Sequence, residues 1–233
     1  MAVHPAAEFI VAMFGAHKSG RVYIASLPNI KNKDEGEERH ILTRSSTQIA
    51  DFVRRHDQPG EGCFVCVNPI KDKATRRAEE TVTAIVCAHS DIDFALVEET
   101  PEEIERIVMA LPWAPSRVHH SGHGLHLFWF LDPALDGSPE SKAAHKQLLK
   151  QIANLLGGDT AALGIPQLMR LPGTTNSKNG EQHEVRILSR TDLRYEFTSL
   201  EQAVAATPAP LLHRKKPSST GNGASPDNPF LAF

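Results

Sequence analysis

Apolar residues recur at helical spacing near the start of the chain, with Phe9, Ile10, Met13 and Phe14 on one face, and predict a helix over 6–16. A short strand is expected at 22–26, followed by a polar, charged stretch at 29–39 that reads as an exposed loop. The pattern predicts a second helix over 47–56, stopped by Pro59-Gly60, and a strand by alternation over 63–68. Residues 71–80, basic and then acidic, read as a loop leading into a helical turn. The strongest buried-strand pattern of the first half lies at 83–94.

Thr100-Pro101-Glu102-Glu103 combines a capping hydroxyl, a proline at the first helical position and acids at the positive end, and opens a helix running to about residue 111. Two strands, 117–120 and 125–131, flank the turn Ser121-Gly122-His123-Gly124 as a β-hairpin. Ser138-Pro139-Glu140 begins a long helix that ends at Gly157-Gly158. A last strand is expected at 184–190 and a last helix at 199–206. This mixed order of strands and helices argues for an α+β or mixed α/β domain over 1–206. From 207 to 233 Pro, Ser, Gly and Asn dominate around a basic cluster, His213 to Lys216, and the segment reads as a disordered tail or linker.

Composition narrows the classes. The 233 residues are 40% hydrophobic and 23% charged, enough to bury a core, and full disorder is excluded. With 25 Lys+Arg against 28 Asp+Glu the net charge is −3, so nucleic-acid contact must come from local patches and be salt-sensitive. Cys63 and Cys66 form one CxxC on a strand pattern with no second pair at zinc-ribbon spacing, which favours two half-buried thiols over zinc or redox chemistry. The N-terminus lacks the basic start and apolar run of a signal peptide, and no apolar stretch approaches the ~18 residues needed to span a bilayer. A soluble protein of the reducing cytoplasm, without membrane partners, is expected.

Four segments could carry chemistry. In His89-Ser90-Asp91-Ile92-Asp93 strand periodicity points Asp91 and Asp93 to one side and Ile92 to the core. Paired carboxylates repel, and a divalent cation between them relieves the repulsion; hard oxygen ligands suit magnesium or manganese. A strand end fraying into a solvated acidic loop is the plain alternative. In the hairpin, Gly122 and Gly124 permit a tight turn and close approach of an anion, so that Ser121 and His126 could both hold a phosphate. His119, His120, His123 and His126 fall within eight positions and also invite a zinc reading. Asp159 follows the long helix, where it can equally be a turn residue. Arg170-Leu171-Pro172-Gly173-Thr174-Thr175-Asn176-Ser177-Lys178 sets phosphate- and ribose-binding groups on a loop, or is a polar surface loop.

In this order — Asp-x-Asp on a strand, Ser-Gly-x-Gly-x-His on a hairpin, a later Asp, then Arg-Leu-Pro-Gly-Thr-x-Asn-x-Lys — the set resembles the archaeo-eukaryotic primase (AEP) superfamily. It is most similar to primase–polymerase (prim-pol) and RepB-type primase domains of mobile-element replication proteins. The resemblance covers residues 63 to about 190; residues 1–60 carry no sharp motif. It implies an RRM-like antiparallel sheet with helices beside a smaller α/β module. It also implies two divalent ions, Mg2+ or Mn2+, on Asp91, Asp93 and Asp159, and nucleotide contacts from Ser121, Gly122, Gly124, His126, Arg170, Asn176 and Lys178. The reaction implied is nucleotidyl transfer from NTP or dNTP on a single-stranded DNA template. By local charge, Lys71, Lys73, Arg76 and Arg77 are the expected template contacts. The tail is the expected docking point for a helicase or other replication protein. Two other classes stay open: a catalytically silent DNA-binding initiation module, and a His-rich metal-dependent phosphoesterase that would carry stoichiometric zinc.

Overall fold

The computed structural model of the chain describes residues 3–29 and 38–215, and most of the predicted 29–39 loop therefore lies outside the described residues. Helix α1 (Pro5–Phe14) starts with proline in its first turn, and His4 Nδ1 accepts the Ala6 amide at 3.2 Å. Strands β1 (Val22–Pro28) and β2 (Arg39–Thr43) precede α2 (Ser46–His56), whose Ser45 cap accepts from the Gln48 amide. β3 (Glu61–Cys66) begins two residues earlier than alternation predicts. β4 (Ala84–Asp93), α3 (Pro101–Met109), β5 (Arg117–His120), β6 (Gly124–Asp136) and α4 (Pro139–Leu156) follow as expected, β6 extending further than its apolar run. Thr100 and Glu103 form the reciprocal cap of α3, and Gly157 ends α4 at φ +60°.

Two departures concern the second half. Arg170, expected on a loop, closes a three-residue strand, β7 (Leu168–Arg170), paired antiparallel with β3 so that Phe64 faces Arg170. The expected strand at 184–190 is divided: β9 (His183–Glu184) pairs with β8 (Thr175–Asn176), and β10 (Arg186–Arg190) pairs with β5. The last helix, α5, spans Phe197–Ala205.

The first sheet has the order β2-β1-β3-β7 and the second β10-β5-β6-β4, all pairs antiparallel. Helices α3, α4 and α5 cover one face of the second sheet, setting Ile104, Leu148, Ile152 and Leu200 against Ile92, Leu125, Leu127 and Trp129. Each such side chain contributes about 1.5–3 kcal/mol on burial. The opposite face presents Phe128 and Phe130 to a second core shared with α1, α2 and the first sheet. Phe9 of α1 is the bridge, its ring 4.8 Å from Phe128 and 4.5 Å from His119. The mixed α+β architecture is thus an antiparallel sheet with helices beside a second α/β module.

Residues 207–215, assigned by composition to the tail, are folded against this body. Trp113 Nε1 donates to Thr207 Oγ1 at 3.1 Å, Leu212 is buried, and Arg214 bridges Val97. Residues 216–233, including Lys216, lie outside the described residues.

Candidate functional site

The β4–β6 register places Asp91 directly opposite His126, and Asp93 opposite Gly124. Ile92, between the two acids, is fully buried under the helices, as strand periodicity requires. His126 Nε2 lies 3.7 Å from Asp91 Oδ1. Gly124 is obligatory at this pairing, because a Cβ there would sit 2.0 Å from the Ile92 carbonyl oxygen. Asp159 is brought alongside by its own amide, which donates to the Asp91 carbonyl at 2.7 Å.

The electrostatics follow from this packing. Although 32% of the Asp91 side chain is open to solvent, the protein surrounding the rest of it, then the charges of Asp159 and Asp93, push its pKa up to about 7. The charges of Arg170 and Lys178 act in the opposite direction. His126 is pushed down to about 3 by burial and by Arg170 and His89, and is neutral at physiological pH. Burial lowers Arg170 to about 10, partly offset by Asp91 and Cys63, and it stays charged. Its guanidinium lies 4.7 Å over the Phe64 ring and donates to Asn29 Oδ1 at 3.1 Å. Its Nη1 is buried without a hydrogen-bond partner among the described residues.

Asp93 and Asp159 each use one carboxylate oxygen on a local backbone amide, of Ala95 and Ala161 respectively, and keep the other. Among the described residues the three acids are not a group whose donor atoms all lie within 4.8 Å of one another, and the repulsion that adds to burial in raising Asp91 is what a divalent ion would relieve. The turn residues are more committed. Ser121 donates its hydroxyl to the Gly124 carbonyl at 3.1 Å, and the Gly122 amide donates to His120 Nδ1 at 3.1 Å. Gly122 has φ +101°, a conformation open to glycine. Asn176 ties the loop of Arg170 to this turn: its Nδ2 donates to the Ser121 carbonyl at 2.6 Å, and its Oδ1 accepts the Lys178 amide.

The expected template residues are elsewhere. Lys71 follows Ile70, whose bridge to Val82 lies beside the Ala84 end of β4; seven strand residues, about 23 Å, separate Ala84 from Asp91. Arg76 pairs with Glu80, and Arg77 donates to the Pro166 carbonyl. Lys73 adopts φ +62°. His119, His120, His123 and His126 do not form one metal-ligating group among the described residues. His119 is buried between Phe9 and Phe128 with neither ring nitrogen hydrogen-bonded among the described residues, and His120 packs on Phe94. His89 Nε2 is 2.9 Å from the Ala162 carbonyl. Cys63 and Cys66 are free and fully buried rather than half-buried, Cys87 is likewise free and buried, and burial raises all three thiols.

Sequence reasoning passed over Asn29, which holds Arg170 and donates to Ser177 Oγ at 2.8 Å, and Phe64, on which Arg170 stacks. It also passed over Glu181 and His183, which the fold sets beside His123.

No protein-family model matches the chain. A curated replication protein of Clostridium perfringens is 23% identical over 191 residues, covering 75% of this chain; the chain spans 45% of that protein's length. Among solved structures, the AEP domain of the cyanophage S-2L primase-polymerase superposes with a TM-score of 0.63 at 15% identity, over 86% of this chain and 96% of that one. Primase RepB′ superposes with a TM-score of 0.57, also at 15% identity, over 86% of this chain and 62% of its own. The catalytic domain of RepB′ in complex with initiator DNA gives 0.56 over 86% and 94%. The chain has the fold of the AEP primase-polymerase domains.

Proposed function

We propose that the chain is a nucleotidyltransferase of replication, a primase or primase-polymerase that extends or starts primers on single-stranded DNA. The observation that carries this reading is the convergence on Asp91: two further acids, a neutral buried histidine and two cations from separate elements meet at one strand end. The fold shared with primase domains and the likeness to a replication protein support it.

Asp91, Asp93 and Asp159 would hold divalent cations, magnesium or manganese, suited to an all-oxygen donor set. When bound, such ions activate an attacking hydroxyl and neutralise a triphosphate. Arg170, held by Asn29 and Phe64, would offer its guanidinium to a phosphate oxygen. Lys178 adds positive charge from the loop that Asn176 fixes. His126, neutral, can donate one hydrogen bond to a phosphate without carrying a charge. Ser121 would exchange its bond to Gly124 for one to the nucleotide. Template contacts would come from local basic groups, among them Arg214, whose Nη1 donates to the Gly158 carbonyl at 2.7 Å, one residue from Asp159.

The test is primer synthesis on single-stranded DNA with labelled NTP or dNTP, in magnesium and then manganese, beside Asp91→Ala and Asp93→Ala. Metal-dependent products absent from both variants support the assignment. No product on any template, with DNA binding intact, leaves a binding module instead.

A further inference from the structure

Apart from the acids of β4, the described residues contain a group of three metal-ligating side chains, His123, Glu181 and His183, whose donor atoms all lie within 4.8 Å of one another. His123 belongs to the turn between β5 and β6, and Glu181 and His183 lie at the entry to and within β9. His183 Nε2 is 2.9 Å from Glu181 Oε2, and His123 Nε2 is 4.0 Å from the same oxygen. The two rings meet edge to face with centroids 5.0 Å apart. His123 Nε2 is buried yet has no hydrogen-bond partner among the described residues.

The juxtaposition is built by the fold. β8–β9 pairing sets His183 opposite Asn176, and Asn176 is hydrogen-bonded to Ser121. Gly122 lies so close to β9 that a Cβ on it would be 2.8 Å from that of His183. The donor set differs in kind from that of Asp91. Two imidazoles and one carboxylate suit a borderline d-block ion with an open fourth position, whereas oxygen alone suits magnesium. Ligands about 2.1 Å from a tetrahedral ion stand about 3.4 Å from one another. The separations of 2.9 and 4.0 Å bracket that value, and the Glu181 and His183 side chains, 62% and 42% exposed, are free to adjust.

We infer that His123, Glu181 and His183 form a separate transition-metal site that takes zinc and pins the turn carrying Ser121 to β9. The site stands independently of nucleotidyl transfer. It also changes what stoichiometric zinc would mean: zinc held by these three side chains accounts for it without involving the acids of β4.

The experiment is calorimetric titration of Zn2+ into the metal-stripped full chain under excess Mg2+, with Co2+ absorption as a second probe of tetrahedral coordination. One equivalent should bind to the wild type and to Asp91→Asn/Asp93→Asn. Affinity should fall at least tenfold in Glu181→Gln and by more in His123→Ala/His183→Ala, with loss of the Co2+ band. Glu181 is exposed, so its variant reports on the site even if the double variant melts early. No zinc uptake by the wild type, uptake unchanged in both site variants, or uptake lost only in the aspartate variant would overturn the assignment.

Discussion

Along β4 and β6, neighbouring residues belong to opposite faces of one sheet. Ile92, Leu125, Leu127 and Trp129 look toward α3, α4 and α5 and are wholly buried. Asp91 and His126 alternate with them and look the other way, where a carboxylate is pushed toward neutrality and a histidine is held uncharged. One face is core throughout, whereas the other is core at Phe128 and Phe130 and stores repulsion at its Asp91 end. A strand period of two residues lets a rigid core hold the chemistry one residue away from itself.

Substitutions should separate the faces cleanly. The largest effect is expected from Asp91→Ala or Asp93→Ala, which should cut primer synthesis by a factor on the order of 10²–10³ or more, while the melting temperature does not fall. On the other face, Ile92→Ala should cost about 2–5 kcal/mol in urea unfolding through loss of buried contacts. Comparable destabilisation by Asp91→Ala would break the distinction.

Acidification addresses the buried histidines. His89, His126 and His145 are pushed down to about 4, 3 and 3 by burial, and His119 well below the ordinary 6.5. The unfolded chain therefore takes up protons that the fold refuses, and stability present above pH 6.5 is lost as pH falls below it. Asp91 works in reverse, because its raised pKa makes the fold hold a proton more tightly between pH 7 and 4. Four histidines outweigh one carboxyl, for a net loss of about 1–2 kcal/mol between pH 7 and 6 in chelator, read from urea midpoints. The smallest effect sharpens the contrast. Asp91→Asn removes the repelled charge, and at pH 8 without metal it should raise the melting temperature by roughly 2–4 °C, the shift that about 1 kcal/mol produces at this size.

The division between faces was legible in the chain: alternation placed Ile92 inward and Asp91 with Asp93 outward, and the two glycines marked the hairpin. Helix caps such as Thr100 with Glu103 were equally readable, being local chemistry. What escaped depends on distant pairing. Three residues of β7 carry no periodicity, and Arg170 becomes a strand residue only because β3 lies beside it. Residues 207–215 look like linker by composition, and are ordered by Trp113, Val97 and Glu99 from other elements. Glu181 and His183 meet His123 across a gap of nearly 60 residues, closed by Asn176 and the β8–β9 pair.

The most direct measurement is binding of a nucleoside triphosphate with Mn2+ at pH 8, comparing the wild type with Asp91→Asn in samples whose melting curves are recorded in parallel. The account predicts that the variant melts no lower than the wild type and loses metal-dependent nucleotide binding by tenfold or more. Undiminished binding in a well-folded Asp91→Asn variant would contradict the placement of the nucleotide site on this face of the sheet.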